Sequence, residues 1–167
     1  LTIWFSSDLH LGHENIIKYC DRPFKNAEEM DEIIINNINR RVKDDDLFII
    51  VGDVSFHPDR YLDKINGIKW LIAGNHDNKK YDNLYDFVLR DNLDTYLKMK
   101  IGRHNCIVTH WPQYYNKNVD YVISGHTHEK YLVDGNNVNI GVDQWDFKPL
   151  SFNELNIFLN AISDKNE

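Results

Sequence analysis

Apolar and polar positions along the chain fall into short blocks. Residues 1–5 (Leu-Thr-Ile-Trp-Phe), 47–51 and 70–73 are near-continuous apolar runs of strand length, the pattern of strands buried on both faces. Residues 26–42 switch to helical spacing, with Met30, Ile33, Ile34, Ile38 and Val42 on one face. Asn26 and Glu29 supply a capping-box pattern at the start of that helix. A short helix is expected after Pro58, carrying Tyr61, Leu62 and Ile65 and ending at Gly67. Further strands are expected at 87–89, 96–101, 106–109 and 121–124. Residues 130–133 and 138–140 flank Asp134-Gly135, a hairpin-turn signal. Ser151 and Glu154 form a second capping box, opening a helix with Phe152, Leu155, Phe158, Leu159 and Ile162 toward the core. The first half alternates strand and helix and the second is mostly strand. This predicts an α/β protein with more than one sheet or a mixed sheet.

The 167 residues show no repeat, low-complexity tract or linker, so one domain over residues 1–167 is expected. Hydrophobic residues make up 42 % and charged residues 27 %, the balance of a globular domain. Nineteen basic residues against 26 acidic ones give a formal net charge of −7, which argues against an extended duplex nucleic acid or an anionic membrane as partner. Cys20 and Cys106 are too few for a disulfide framework, and no apolar run is long enough for a membrane span. The chain opens directly into a strand pattern without a signal-peptide layout. A cytoplasmic setting is the expectation.

The candidate chemistry lies immediately after each apolar run. Asp8 and His10 come after the first, Gly52 and Asp53 after the second, and Gly74-Asn75-His76-Asp77 after the third. His110 comes after 106–109, and Gly125-His126-Thr127-His128 after 121–124. In α/β folds ligands bind beyond the carboxyl ends of the strands, so five strand ends deliver Asp, Asn and His to one place. Imidazole with carboxylate and amide oxygen suits Mn, Fe, Co, Ni or Zn better than Ca or Mg. Asp8, His10, Asp53, Asn75, His110, His126 and His128 are too many ligands for one tetrahedral ion and suit two divalent ions sharing a carboxylate. The glycines before these residues allow sharp turns and close approach.

These five blocks resemble those of the calcineurin-like metallophosphoesterases: Asp-x-His, Gly-Asp, Gly-Asn-His-Asp/Glu, a single His, and Gly-His-x-His. Residues 8–24 and 139–146 resemble a small bacterial and phage branch of that family. The resemblance implies a four-layer αββα sandwich of two mixed sheets, with the metal site at the strand C-termini. It implies that Asp8, His10 and His128 hold one ion, that Asn75, His110 and His126 hold the other, and that Asp53 bridges them. Manganese is the foremost candidate, with Fe, Zn, Ni and Co as alternatives. The implied reaction is hydrolysis of a phosphate ester by a hydroxide between the two ions, with His76 assisting the leaving oxygen.

Phe56 stands where the protein-phosphatase branch carries a second aspartate, so Asp77 becomes the candidate carboxylate partner of His76. His13, Asn15 and Arg22 are candidate substrate contacts, Arg22 through a bidentate grip on phosphate. Trp111 and Tyr114 could stack on a base or line a rim. His57 and His104 read as structural or exposed. The expected substrate is a small phosphodiester or phosphomonoester, short or cyclic nucleotides included. A nuclease is the enzyme alternative, and a non-catalytic scaffold of the same fold is the alternative from another class. Two divalent ions would bring the formal charge from −7 to about −3 and make one strongly positive point for a phosphate.

Overall fold

The computed structural model describes residues 1–90, 96–112 and 118–165. Its first sheet contains β1 (Ile3–Ser6), β2 (Leu47–Ile50), β3 (Ile68–Ile72), β4 (Phe87–Leu89) and β10 (Leu150–Ser151), in the order β10-β1-β2-β3-β4. The β1 to β4 neighbours are parallel and β10 pairs antiparallel with β1. Its second sheet contains β5 (Leu97–Ile101), β6 (His104–Thr109), β7 (Tyr121–Ser124), β8 (Val133–Asp134) and β9 (Asn137–Asn139), in the order β5-β6-β7-β9-β8. There β6, β7 and β9 run parallel, and β5 and β8 are antiparallel edges.

Both sheets are mixed, and two apolar clusters hold the layers. Phe48, Ile50 and Leu71 pack with Ile16 of α1 (Glu14–Tyr19) and with Met30, Ile34 and Ile38 of α2 (Ala27–Arg41). On the other face of the first sheet, Phe5 of β1, Ile49 of β2 and Ile72 of β3 pack with Val108, Ile123 and Val138 of the second sheet. Side chains alternate across a strand, so the apolar runs serve both clusters at once. Leu155 and Leu159 of α3 (Phe152–Asp164) enter the cluster shared by the two sheets.

Local chemistry explains several departures from the expected elements. Asn26 accepts from the Glu29 N–H at 2.9 Å, but the Glu29 carboxylate takes the Lys25 N–H, so only half of that capping box forms. The Ser151–Glu154 box is complete, with bonds of 3.1 and 2.8 Å. Ile33 is exposed at the edge of the α2 stripe. The helix expected after Pro58 is two 3-10 turns, Pro58–Arg60 and Leu62–Lys64. The first hairpin strand is shorter than expected and the second begins one residue earlier; Asp134 faces Asn137, so the turn residues are Gly135 and Asn136. Helix α1 and strand β10 are too short to show in the periodicity. Both thiols are buried, and burial pushes Cys106 up to about 12. No helix among the described residues is long and apolar enough to cross a membrane.

Candidate metal centre

The parallel strands β1, β2, β3, β6 and β7 end on one side, and the predicted ligands come directly after them. Five of these ligands adopt left-handed backbone: Asp8 (φ 56°), His10 (φ 50°), Asp53 (φ 56°), His126 (φ 70°) and His128 (φ 49°). Asp and His enter this region more readily than most residues, yet each instance still costs roughly 1–3 kcal/mol and clusters at functional sites. The bends are tied to one another. Asp8 N–H donates to the Gly52 carbonyl and His10 N–H to the Asp53 carbonyl, both at 3.0 Å. Gly125 draws the two sheets together: a Cβ there would overlap Ser7 Oγ and Asp8 Oδ2. A Cβ on Gly74 would likewise overlap Asp53 Oδ1.

Both buried aspartates use one oxygen for the protein and turn the other to the centre. Asp8 Oδ2 accepts from His126 N–H at 2.9 Å and lies 2.6 Å from Ser7 Oγ. Asp8 Oδ1 has no hydrogen-bond partner and faces His10 Nε2 at 4.0 Å and His128 Nε2 at 3.9 Å. Asp53 Oδ1 accepts from His76 N–H at 3.0 Å. Asp53 Oδ2 lies 3.5 Å from His10 Nε2 and 3.5 Å from His110 Nε2, midway between the two halves of the site. His110 Nδ1 lies 2.8 Å from the Val51 carbonyl, which sets the proton on Nδ1 and leaves the Nε2 lone pair toward Asp53 and toward Asn75 Oδ1 at 3.2 Å. His126 meets the His110 ring edge to face, with the centroids 5.2 Å apart.

Two compact ligand groups result: Asp8, His10 and His128, and Asp8, Asp53 and His110, each with ligand atoms within 4.8 Å of one another. Buried Asp8 Oδ1 and His10 Nε2, both without a partner, are what a cation would satisfy. Burial lowers His10 to about 2 and His126 to about 4, so both keep free lone pairs at neutral pH. Burial raises both Asp8 and Asp53 above the usual carboxylate range. The residues present therefore fit divalent ions.

Other predicted residues stand elsewhere. Arg22 is buried and does not face a substrate: its guanidinium binds both oxygens of Asp143 at 2.9 and 3.0 Å and donates to the carbonyls of Asp8 and Leu9. Asp77 is not the partner of His76. Its oxygens accept from the N–H groups of Asp53, Gly74 and Val54 at 2.7, 2.8 and 3.0 Å, which makes it a clamp on the ligand loops. His76 is exposed beside the site, its ring 5.5 Å from that of His10. His13 caps α1 with its Nδ1 3.4 Å from His10 Nδ1, and Asn15 stays exposed on α1. Trp111 packs on His126 at 4.2 Å; Tyr114 lies outside the described residues. His104 is buried against Asn160, and His57 is exposed.

Two residues emerge only from the structure. Asp143 sits 3.6 Å from His128 Nδ1, which leaves Nε2 turned to Asp8. Against the effect of burial, Asp143, Cys20 and Asp8 raise His128 to about 10. Ser7 holds Asp8. An acid directly after the stretch 138–142 was the available signal for Asp143; a serine after a strand offers none.

The family profile of the calcineurin-like phosphoesterases matches residues 1–130. The chain belongs to that family, which supports phosphate-ester hydrolysis in general and implies divalent metal ions. It is 32 % identical to the uncharacterized protein MJ1445 of Methanocaldococcus jannaschii, over 89 % of this chain and 86 % of that protein. It is 25 % identical to the gene 66 protein of Mycobacterium phage D29, over 97 % and 98 % of the two chains. The solved structure of a protein of unknown function, AQ665 from Aquifex aeolicus, shares its fold, with a TM-score of 0.74, 24 % identity and coverage of 94 % and 98 %.

Proposed function

We propose that the protein hydrolyses a small phosphodiester or phosphomonoester at a site built for two divalent ions. The observation that carries this reading is Asp53 Oδ2, equidistant at 3.5 Å from His10 Nε2 and His110 Nε2 and so set to serve both halves of the site. Asp8, His10, His128 and Asp53 would hold one ion; Asn75, His110, His126 and Asp53 would hold the other. Bound there, the ions supply Lewis-acid charge for the phosphate oxygens and lower the pKa of water. Manganese is the first choice for this donor set.

The chain's own residues do the rest. The left-handed bends and the Asp77 clamp hold the ligands before any substrate arrives, so little reorganisation is needed at the moment of reaction. His76 is tied through its backbone to Asp53 and leaves its ring exposed next to His10. From this position it would give a proton to the departing ester oxygen.

The test is hydrolysis of bis-p-nitrophenyl phosphate and p-nitrophenyl phosphate by purified protein with Mn²⁺. Turnover that chelation abolishes and metal restores is expected. No hydrolysis of either ester by protein loaded with Mn, Ni, Co or Zn would contradict the proposal.

A further inference from the structure

Phe56 is 44 % exposed, although Val54 and Ser55 beside it are buried. It belongs to neither apolar cluster of the described residues. Its ring lies 4.9 Å from that of His13 and 5.4 Å from that of His76, edge to face in both cases. Those two imidazoles are each 5.5 Å from the ring of the metal-ligand candidate His10. A continuous aromatic rim therefore runs outward from the centre through His13 and His76 to Phe56. Tyr19, 71 % exposed and 6.5 Å from His13, extends it.

The mount of this rim is firm. Ser55 Oγ donates to the Leu11 carbonyl at 2.8 Å and accepts from His57 N–H at 3.0 Å, and Leu11 and Ser55 form a parallel bridge. The segment bearing Phe56 is thus fastened to the segment between His10 and His13. A large apolar ring fixed in this way beside a polar centre has a place for a partner and none in the core.

We infer that Phe56 and His13 form a subsite for a flat aromatic leaving group, so that the substrates are aryl or nucleoside phosphates in preference to alkyl phosphates. The inference rests on the hydrolysis proposed above. If His76 meets the departing oxygen, the group carried by that oxygen falls on the neighbouring Phe56. A flat π-face can stack there or meet the ring edge to face; a saturated group of equal size gains contact area but not that geometry.

The test compares phenylphosphonate with cyclohexylphosphonate, and AMP with ribose 5-phosphate, as ligands of Mn-loaded full-length protein. Affinity is read by calorimetry, and inhibition of bis-p-nitrophenyl phosphate hydrolysis is read separately. Phenylphosphonate should bind about threefold to tenfold more tightly than its saturated counterpart. Phe56→Leu should abolish that preference and Phe56→Trp should keep it, with metal content unchanged in both. AMP favoured over ribose 5-phosphate by a similar factor, and this too lost in Phe56→Leu, would assign the subsite to a nucleobase. Equal affinity for that pair with the phenyl preference intact would assign it to a smaller aryl group. Equal binding of the two phosphonates, or a preference unchanged in Phe56→Leu, would overturn the subsite while leaving hydrolysis standing. Absence of hydrolysis would overturn the activity alone, because the calorimetric comparison needs no turnover.

Discussion

Arg22 and Asp143, 121 residues apart, form a buried two-point ion pair, Nε to Oδ1 at 2.9 Å and Nη2 to Oδ2 at 3.0 Å. The guanidinium also binds the carbonyls of Asp8 and Leu9, and the carboxylate faces His128 Nδ1. The pair thus ties the loop after β1 to the turn after β9, with His128 of the loop after β7 held against it. Removing one partner strands the other in a low-dielectric interior, at a cost of about 3–5 kcal/mol. Arg22→Ala is therefore expected to lower the denaturation midpoint strongly and to weaken metal binding. Arg22→Lys should rescue little, since an ammonium cannot reproduce the planar fork. Urea denaturation of chelated protein, with metal titration of the folded variants, checks both. A substrate contact at Arg22 would instead raise KM and leave stability unchanged.

Asp77 accepts three backbone N–H groups. Asp77→Ala leaves those donors of the Asp53 and Gly74 segments without a partner, at about 1–3 kcal/mol each where water cannot reach. The expected result is a loss of stability and metal affinity together. A fall in kcat with normal melting and metal content would contradict the clamp.

Gly125 has no room for a side chain between Ser7 and Asp8. Gly125→Ala should destabilise by about 1–3 kcal/mol through overpacking and should push Asp8 off the centre. Metal stoichiometry below that of the parent, alongside a lower melting temperature, is the expected outcome. Unchanged metal binding would mean that Asp8 is not held as described.

His76→Ala should retain its metal and lose turnover. A general acid contributes about 10²–10⁴-fold where the leaving group needs the proton. The loss should therefore be large for an alkyl or sugar alkoxide and small for p-nitrophenolate. Equal losses on both would remove His76 from that role.

Much of the fold and the site was legible in the sequence because strand ends and ligand residues are local features. An apolar run leading into Asp8-x-His10, or Ser124 leading into Gly125-His126-x-His128, states both the strand and the chemistry within a few residues. Mixed sheets followed from that pattern and from family resemblance, whereas the bridging role proposed for Asp53 rests on the resemblance. What stayed hidden was the use of side chains across long separations. Arg22 looks like a free cation until Asp143 is folded against it. Asp77 looks like a partner for its neighbour His76 until its oxygens are seen to face backbone donors. The segment bearing Phe56 is likewise fastened by Ser55 bonding to Leu11, a contact spanning 44 residues.

The most direct test of the two-ion site is activity against metal content. Chelated protein should be inactive toward bis-p-nitrophenyl phosphate and should regain turnover as Mn²⁺ is added, reaching its plateau at two equivalents per chain. In Asp53→Asn both the second equivalent and the activity should be lost. A plateau at one equivalent, or full activity in the chelated protein, would contradict a centre bridged by Asp53.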